Sequence, residues 1–245
     1  MFGGFFVLLV SWWKGPATNP VLPVASASLT SAPGGAALVE IGSAVEGASI
    51  EHVMAKLIYV MNTTLDGYIS DRDGNFDWTT PTAEVFGAIT ELIRPVGTYL
   101  YGRRMYETMA VWDTAHVNPG GPAFTPGLLE LERGFAELWR AADKIVFSKT
   151  LPRASTPRTR IERAFDSDQL RRLKATSERD LTVGGPYLAA QMLAANLVDE
   201  LHTFVNPIII GGGKPWLPPD LRIPLELAGE RRLGGVVHLH YRPAR

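Results

Sequence analysis

Cysteine is missing from all 245 residues. That removes disulfides, thiol nucleophiles and thiolate metal sites together, and it is compatible with the cytoplasmic location expected for the chain. A surplus of either charge is missing too: 24 Lys and Arg against 25 Asp and Glu leave a net charge of −1. Nucleic-acid binding usually shows a strong basic balance, so no nucleic-acid partner is expected. The apolar run at the N-terminus is shorter than the roughly 20 residues that span a bilayer, so no membrane partner is expected either. There is no internal repeat. What is present is ordinary globular material: 46% hydrophobic and 20% charged residues, enough for a sizeable core.

Charge is scarcest in residues 1–53. Met1 to Trp13 is apolar and uncharged, and Pro16 to Ser49 carries only Glu40 and Glu46. Three readings compete. A secretory signal would use Phe5 to Val10 as its apolar core and Ala25-Ser26-Ala27 as its cleavage pattern, but Lys14 lies on the wrong side of the run. A membrane anchor would need a longer run. The favoured reading is a poorly ordered low-complexity extension, 1–53, ahead of a domain over 54–245, with Met54-Ala55-Lys56 as a natural start.

From Lys56 onward strands and helices alternate. Strands are expected at Leu57 to Asn62, Tyr68 to Ser70, Val96 to Tyr101, Lys144 to Phe147, Arg160 to Glu162 and Leu181 to Val183. Helices are expected at Thr82 to Arg94, Arg103 to Met109, Leu128 to Arg140, Ser167 to Thr176 and Tyr187 to Asn196. The apolar run Leu201 to Ile210 ends in Gly211-Gly212-Gly213. Leu225 to Arg232 and Val236 to Tyr241 close the chain as a hairpin around Gly234-Gly235. Such alternation argues for an α/β fold: a mainly parallel central sheet covered on both faces, with an antiparallel C-terminal hairpin.

The most informative stretch is LTVGGPYLAAQMLAANLVDELHTFVNPIIIGGGKPWLP, Leu181 to Pro218. A β-prone run stops at Gly184-Gly185, and Pro186 then opens a helix through Tyr187. Glycine lets a ligand approach the unpaired N–H groups of a helix's first turn, and a phosphate is the usual guest. A plain connecting turn would look the same. Three more stations sit where strands end: Thr64-Leu65-Asp66-Gly67-Tyr68-Ile69, then Leu100 to Glu107 (LYGRRMYE), then Lys144 to Leu151 (KIVFSKTL).

In this order and spacing the four stations resemble the dihydrofolate reductase-like superfamily. They are closest to the C-terminal reductase domain of bacterial riboflavin biosynthesis (RibD C-terminal-like) and its free-standing members. The resemblance covers 56 to about 242, nearly the whole plausible domain. It implies a three-layer dihydrofolate reductase-like fold, a homodimer and NADPH as cofactor. The implied activity is that of an NADPH-dependent oxidoreductase passing hydride to a planar N-heterocycle. That substrate is a pterin or folate, or a 5-amino-6-ribosylaminopyrimidine. The alternative is an NADP-binding protein of this fold without turnover. The deaminase domain of the bifunctional riboflavin enzyme is absent, and no His/Cys zinc signature for base deamination appears.

The resemblance distributes roles along the chain. Gly102, Arg103 and Arg104 open a helix, and Ser148 and Lys149 end the neighbouring strand; together they would meet the 2′-phosphate that distinguishes NADP from NAD. A solvated arginine pair is the competing reading. Gly184, Gly185, Pro186 and Tyr187 would hold the pyrophosphate, and the Gly184–Gly185 bond is often cis in the superfamily. Met105 stands where the family has Thr, so one phosphate contact is expected to be lost. The catalytic candidates are Asp66 and Glu84. Asp66 is equally a turn former before Gly67, and Glu84 a carboxylate at a helix N-terminus. Asn62, Thr63 and Trp78 are candidates for substrate binding, and Trp112 could join Trp78 as a stacking wall unless both pack in the core. His238 and His240 alternate on one face of a strand, but no third ligand is evident, so no metal is expected. His116 has no evident partner, and Arg153, Arg158, Arg160 and Arg163 read as a solvated basic stretch.

Overall fold

The structure, a computed structural model, describes residues 54–79, 81–114 and 128–244. The N-terminal extension 1–53, His116 and the whole Gly/Pro stretch 118–126 lie outside the described residues. The chain opens with strand β1, Leu57–Thr64, and the short β2, Tyr68–Ser70. Helix α1, Ala83–Ile93, follows, started by Thr82, whose hydroxyl accepts from the Val85 amide. Strand β3, Val96–Gly102, runs directly into α2, Arg103–Met109, and a 3₁₀ turn over Ala110–Asp113. Helix α3, Leu129–Ala141, leads to β4, Asp143–Phe147, and β5, Thr159–Glu162. Asp166 caps α4, Ser167–Thr176, through the amides of Asp168 and Gln169. Strand β6, Asp180–Gly184, feeds α5, Pro186–Ala194, with proline at its first position. Then come β7, Glu200–Asn206, the two-residue β8, Lys214–Pro215, and the hairpin of β9, Leu225–Leu233, and β10, Val236–Pro243.

Among the described residues eight strands form one sheet in the order β5-β4-β3-β6-β1-β7-β10-β9. The first six are parallel; β10 runs antiparallel to β7 and to β9. The expected mixed α/β sheet with an antiparallel C-terminal pair is therefore the observed one. Side chains alternate between two helical layers, as the period of a strand demands. Leu57, Tyr59, Met61, Leu100 and Ile145 join α4 and α5 in one buried cluster. Ile58, Tyr99, Tyr101 and Val146 join α1, α2 and α3 in the other. Gly234, at φ +60, supplies the positive φ that the two-residue turn from Leu233 to Val236 requires. No helix among the described residues is long and apolar enough to cross a membrane.

Three departures from expectation bear on the site. The apolar run from Leu201 leaves the sheet at Asn206, because Pro207 has no N–H to donate and Asn206 turns its amide onto Thr63 and Phe204 carbonyls. Helix α5 ends at Ala194, two residues before Asn196, which adopts a left-handed φ of 55°. Strand β8 carries no sequence pattern of its own. It docks antiparallel on β2, pairing Tyr68 with Pro215 and Ser70 with Lys214.

Two polar ties set this framework. The Asp199 carboxylate accepts from the Leu57 amide at 2.7 Å and from the Lys174 ammonium, joining α4 to the start of β1. The Asp66 carboxylate accepts from the amides of Ile210 and Gly211, at 3.2 and 2.8 Å, and so pins the glycine loop that precedes β8. The Thr64 hydroxyl, then the Gly211 and Ile210 amides, hold the Asp66 carboxyl below its ordinary value, against an opposing effect of desolvation.

Removing one partner of a buried ion pair strands the other charge. Asp199→Ala should therefore lower the unfolding free energy by about 3 kcal/mol in denaturant titration; a loss below about 1 kcal/mol, the range of surface pairs, would count against the tie. The Asp66 tie has a depressed folded-state pKa. Its contribution is complete above the carboxyl's unfolded value and disappears as pH falls through the lower folded value. Amide exchange at Gly211 should accelerate across that acid window in the native protein, and Asp66→Asn should abolish the pH dependence.

Candidate active-site cleft

The order of strands places β6 between β3 and β1, so the carboxyl ends of these three strands adjoin. Open α/β sheets bind ligands at such ends. Here a cleft of about 920 Å³ opens, a size suited to a cofactor or small ligand. Met61 and Ile69 supply apolar floor, and Phe76 joins them from the loop after β2. Arg104, Met105 and Thr108 of α2 make one wall, and Gly185 to Leu188 make the next. Gly213, Lys214 and Pro215 close the opposite side.

Each wall has a local cause. A Cβ on Gly184 would stand 2.7 Å from the Tyr101 ring and 2.9 Å from Met105, so only glycine lets β6 end this close to α2. Gly185 then turns at φ +100, and α5 starts with its first amides at the cleft. The Gly184–Gly185 bond is trans, as are all described peptides; the cis form typical of the superfamily is not adopted. Gly213 takes φ +149 and would drive a Cβ to 2.0 Å from the Ser70 carbonyl oxygen. That contact carries the chain across β2 and delivers Lys214 to the cleft.

The charges are unevenly committed. The Asp71 carboxylate accepts from the Asp73 and Asn75 amides and from the Asn75 side chain, which braces its own loop. These bonds, the Asn75 amide first, hold its carboxyl below the ordinary range. Three cations, Arg72, Arg104 and Lys214, also line the cleft. Burial, and then the positive charge of Arg104, push the Lys214 ammonium below its ordinary value. Its Nζ lies 5.5 Å from the ring centroid of Tyr187, which is 74% exposed at the cleft mouth and offers a flat face.

Of the residues singled out from the sequence, Arg104, Gly185, Pro186 and Tyr187 line this cleft and Gly184 lies directly beneath it. Gly102, Arg103, Ser148 and Lys149 occupy the neighbouring strand ends, where Gly102 pairs with Phe147. Arg103 is bonded to Glu107 at 2.7 Å and to the Thr150 hydroxyl at 2.9 Å. The Ser148 hydroxyl accepts from the amides of Thr150 and Leu151, forming the turn, and Lys149 is exposed on it.

The catalytic and substrate candidates are not gathered there. Asp66 spends its carboxylate on the glycine loop. Glu84 is exposed at the start of α1, beside Gly234 of the β9–β10 turn. Asn62 sits one residue beyond Met61 on β1, so strand alternation turns it to the other face. Thr63 is buried, its hydroxyl 2.7 Å from that of Thr203. Trp78 is half-buried outside the cleft lining, and Trp112 is core, against Phe86 and Phe135. Lys214, Ile69 and Phe76 escaped sequence reasoning. The triple glycine just before Lys214 was the one available signal.

Comparison with known proteins agrees with this architecture. The family described as RibD C-terminal domain matches residues 55–239. The uncharacterized protein YyaP of Bacillus subtilis is 25% identical over 189 residues, covering 76% of this chain and 94% of YyaP. A putative riboflavin biosynthesis protein from Shewanella sp. PV-4 superposes with a TM-score of 0.56 at 20% identity, over 78% of this chain and 99% of that one. Dihydrofolate reductase from Enterococcus faecalis, complexed with NADP(H), superposes with a TM-score of 0.50 at 12% identity, over 78% and 97%. The match spans most of the sequence and every strand around the cleft, and the chain belongs to the RibD C-terminal domain family, with a dihydrofolate reductase-like fold.

Proposed function

We propose that the protein is an NADPH-dependent reductase acting on a planar N-heterocycle, either a ribosylaminopyrimidine of the riboflavin type or a pterin. The carrying observation is the convergence on one cleft of the glycine-opened end of α5 with three cations, Arg72, Arg104 and Lys214. The space beside Gly185 suits the cofactor's pyrophosphate, because a phosphate needs unpaired amides, close backbone and positive charge together. When bound, NADPH would supply the hydride. The Gly185, Tyr187 and Leu188 amides and Arg104 hold the pyrophosphate in this reading. Arg103, Ser148 and Lys149 take the 2′-phosphate on the adjoining strand tips. Arg103 is available for this because its pair with Glu107 is exposed and worth little. Met61, Ile69 and Phe76 pack against the flat heterocycle and keep water from one face. The balancing proton comes from solvent or from Asp73, the second acid of the lining, since Asp71 accepts three bonds from its own loop.

A second reading, cofactor binding without turnover, is favoured by one residue. Met105 lines the cleft and lies 3.8 Å from where a Gly185 Cβ would be, in the place where the family resemblance puts a threonine hydroxyl. Fluorescence titration with NADPH tests both readings, and assay with each heterocycle separates them. Saturable binding with turnover on one heterocycle is expected. No binding at millimolar cofactor ends both, and binding without turnover on any candidate leaves the second.

Two variants test the division of labour. Arg104→Met should weaken NADPH and NADH alike by about tenfold, equivalent to about 1.4 kcal/mol. Arg103→Met should weaken NADPH by a similar factor while leaving NADH nearly unchanged. Equal losses of both cofactors in Arg103→Met would reject the 2′-phosphate assignment.

A further inference from the structure

His238 and His240 of β10 gain in the fold partners that no sequence spacing links to them. On β7, His202 stands opposite His240 in register, and Glu200, two residues earlier, projects to the same face. Glu200, His202 and His240 each offer one ligand atom, and these atoms lie within 4.8 Å of one another. Nε2 of His202 is 3.5 Å from Glu200 Oε2, and Nε2 of His240 is 3.8 Å from Glu200 Oε1. His240 Nε2 is buried without a hydrogen-bond partner, and His202 Nε2, on a side chain only 4% exposed, has at 3.5 Å nothing better than a long contact with Glu200 Oε2. Buried ring nitrogens are almost always well paired, so one orphan and one loosely held nitrogen facing the same carboxylate require an explanation.

We propose that Glu200, His202 and His240 form a site for a divalent transition metal of the zinc class, completed by water. Two imidazoles and a carboxylate are a donor set that suits Zn²⁺. Bonds of about 2.0–2.2 Å in a tetrahedron place donors about 3.3–3.6 Å apart; His202 Nε2 and Glu200 Oε2 already stand at 3.5 Å, and His240, within 4.8 Å of the other ligand atoms, has to close in. The other nitrogen of His202, Nδ1, is 3.0 Å from Nε2 of His238. A proton held on Nδ1 leaves the Nε2 lone pair turned to the site, with His238 as the outer partner that metal-bound histidines habitually have. The His202 and His240 rings stack at 4.1 Å and 14°, so they turn out of the stack to converge on the ion. Lys56 and Arg242, at 3.1 and 3.3 Å, occupy Glu200 Oε1 and leave Oε2 to the metal. Their charge opposes the ion and weakens its binding. Their half-exposed side chains, with His240, form the entry.

The site is separate from the cleft. Glu200 and His202 pair with Ile58 and Val60 of β1, whereas Met61, on the opposite face, lines the cleft. A metal here would clasp β7 to β10, where the parallel sheet meets the hairpin, and would stabilise the folded chain because it binds only that state. The full chain, stripped with chelator, is titrated with Co²⁺ and then Zn²⁺. One Co²⁺ per chain, the intense visible bands of tetrahedral cobalt, displacement by Zn²⁺ and a rise in Tm of several degrees are expected. His240→Gln should lose the bands and the Tm rise. His52→Gln and His116→Gln, which remove the other histidines of this cysteine-free chain, should keep both. Ring ¹⁵N spectra of the unaltered protein provide a readout that no folding defect can confuse: Zn²⁺ should move the Nε2 signals of His202 and His240. A weak octahedral spectrum, bands that survive His240→Gln, or unmoved Nε2 signals would each overturn the site.

Discussion

Where β6 meets α2 there is no room for a side chain. The Tyr101 ring and Met105 leave Gly184 less space than a single methyl group needs. This exclusion lets β6 lie between β3 and β1 and finish beside α2, and the positive φ of Gly185 then aims the start of α5 at the cleft. A bulkier residue would push β6 away from α2 and open the wall that Arg104 and Met105 make. Backbone proximity, more than any side-chain chemistry, is what shapes the cleft at this end of the sheet.

The same economy recurs at the second glycine cluster. Gly213 passes within contact distance of the Ser70 carbonyl, and the strand that follows pairs with β2. Asp66 secures the loop from the other side. Acidic groups around the cleft are thus largely turned inward to brace loops: Asp66 the glycine loop, Asp71 its own turn. Arg72, Arg104 and Lys214 give the lining three cations against the carboxylates of Asp71 and Asp73. A cleft so arranged favours an anion, and it does so through commitments made by its carboxylates rather than through an excess of basic residues in the chain.

Much of the fold was legible because local patterns and tertiary outcome agree. The helix starts at Thr82, Asp166 and Pro186, the two-residue turn at Gly234-Gly235 and the run of buried strands each carry their signal within a few residues. The cleft positions of Arg104 and Gly185 to Tyr187 were legible for a related reason: they sit directly at the ends of strands that periodicity identifies. The catalytic candidates were not. Asp66 reads alike as a reactive group and as a loop anchor until the position of Gly211 is known, and Asn62 differs from Met61 only by the face to which alternation turns it.

The amino-acid sequence by itself determined the alternation of strands and helices, the family, and the glycine and arginine stations at strand ends, because each depends on residues near one another in the chain. Only the tertiary structure decided that Lys214 crosses to the cleft, that Asp66 is spent elsewhere, and that Glu200 and His202 stand beside His238 and His240. These are contacts between strands distant in sequence. Strand order and register create them, and neither quantity is written in any single segment.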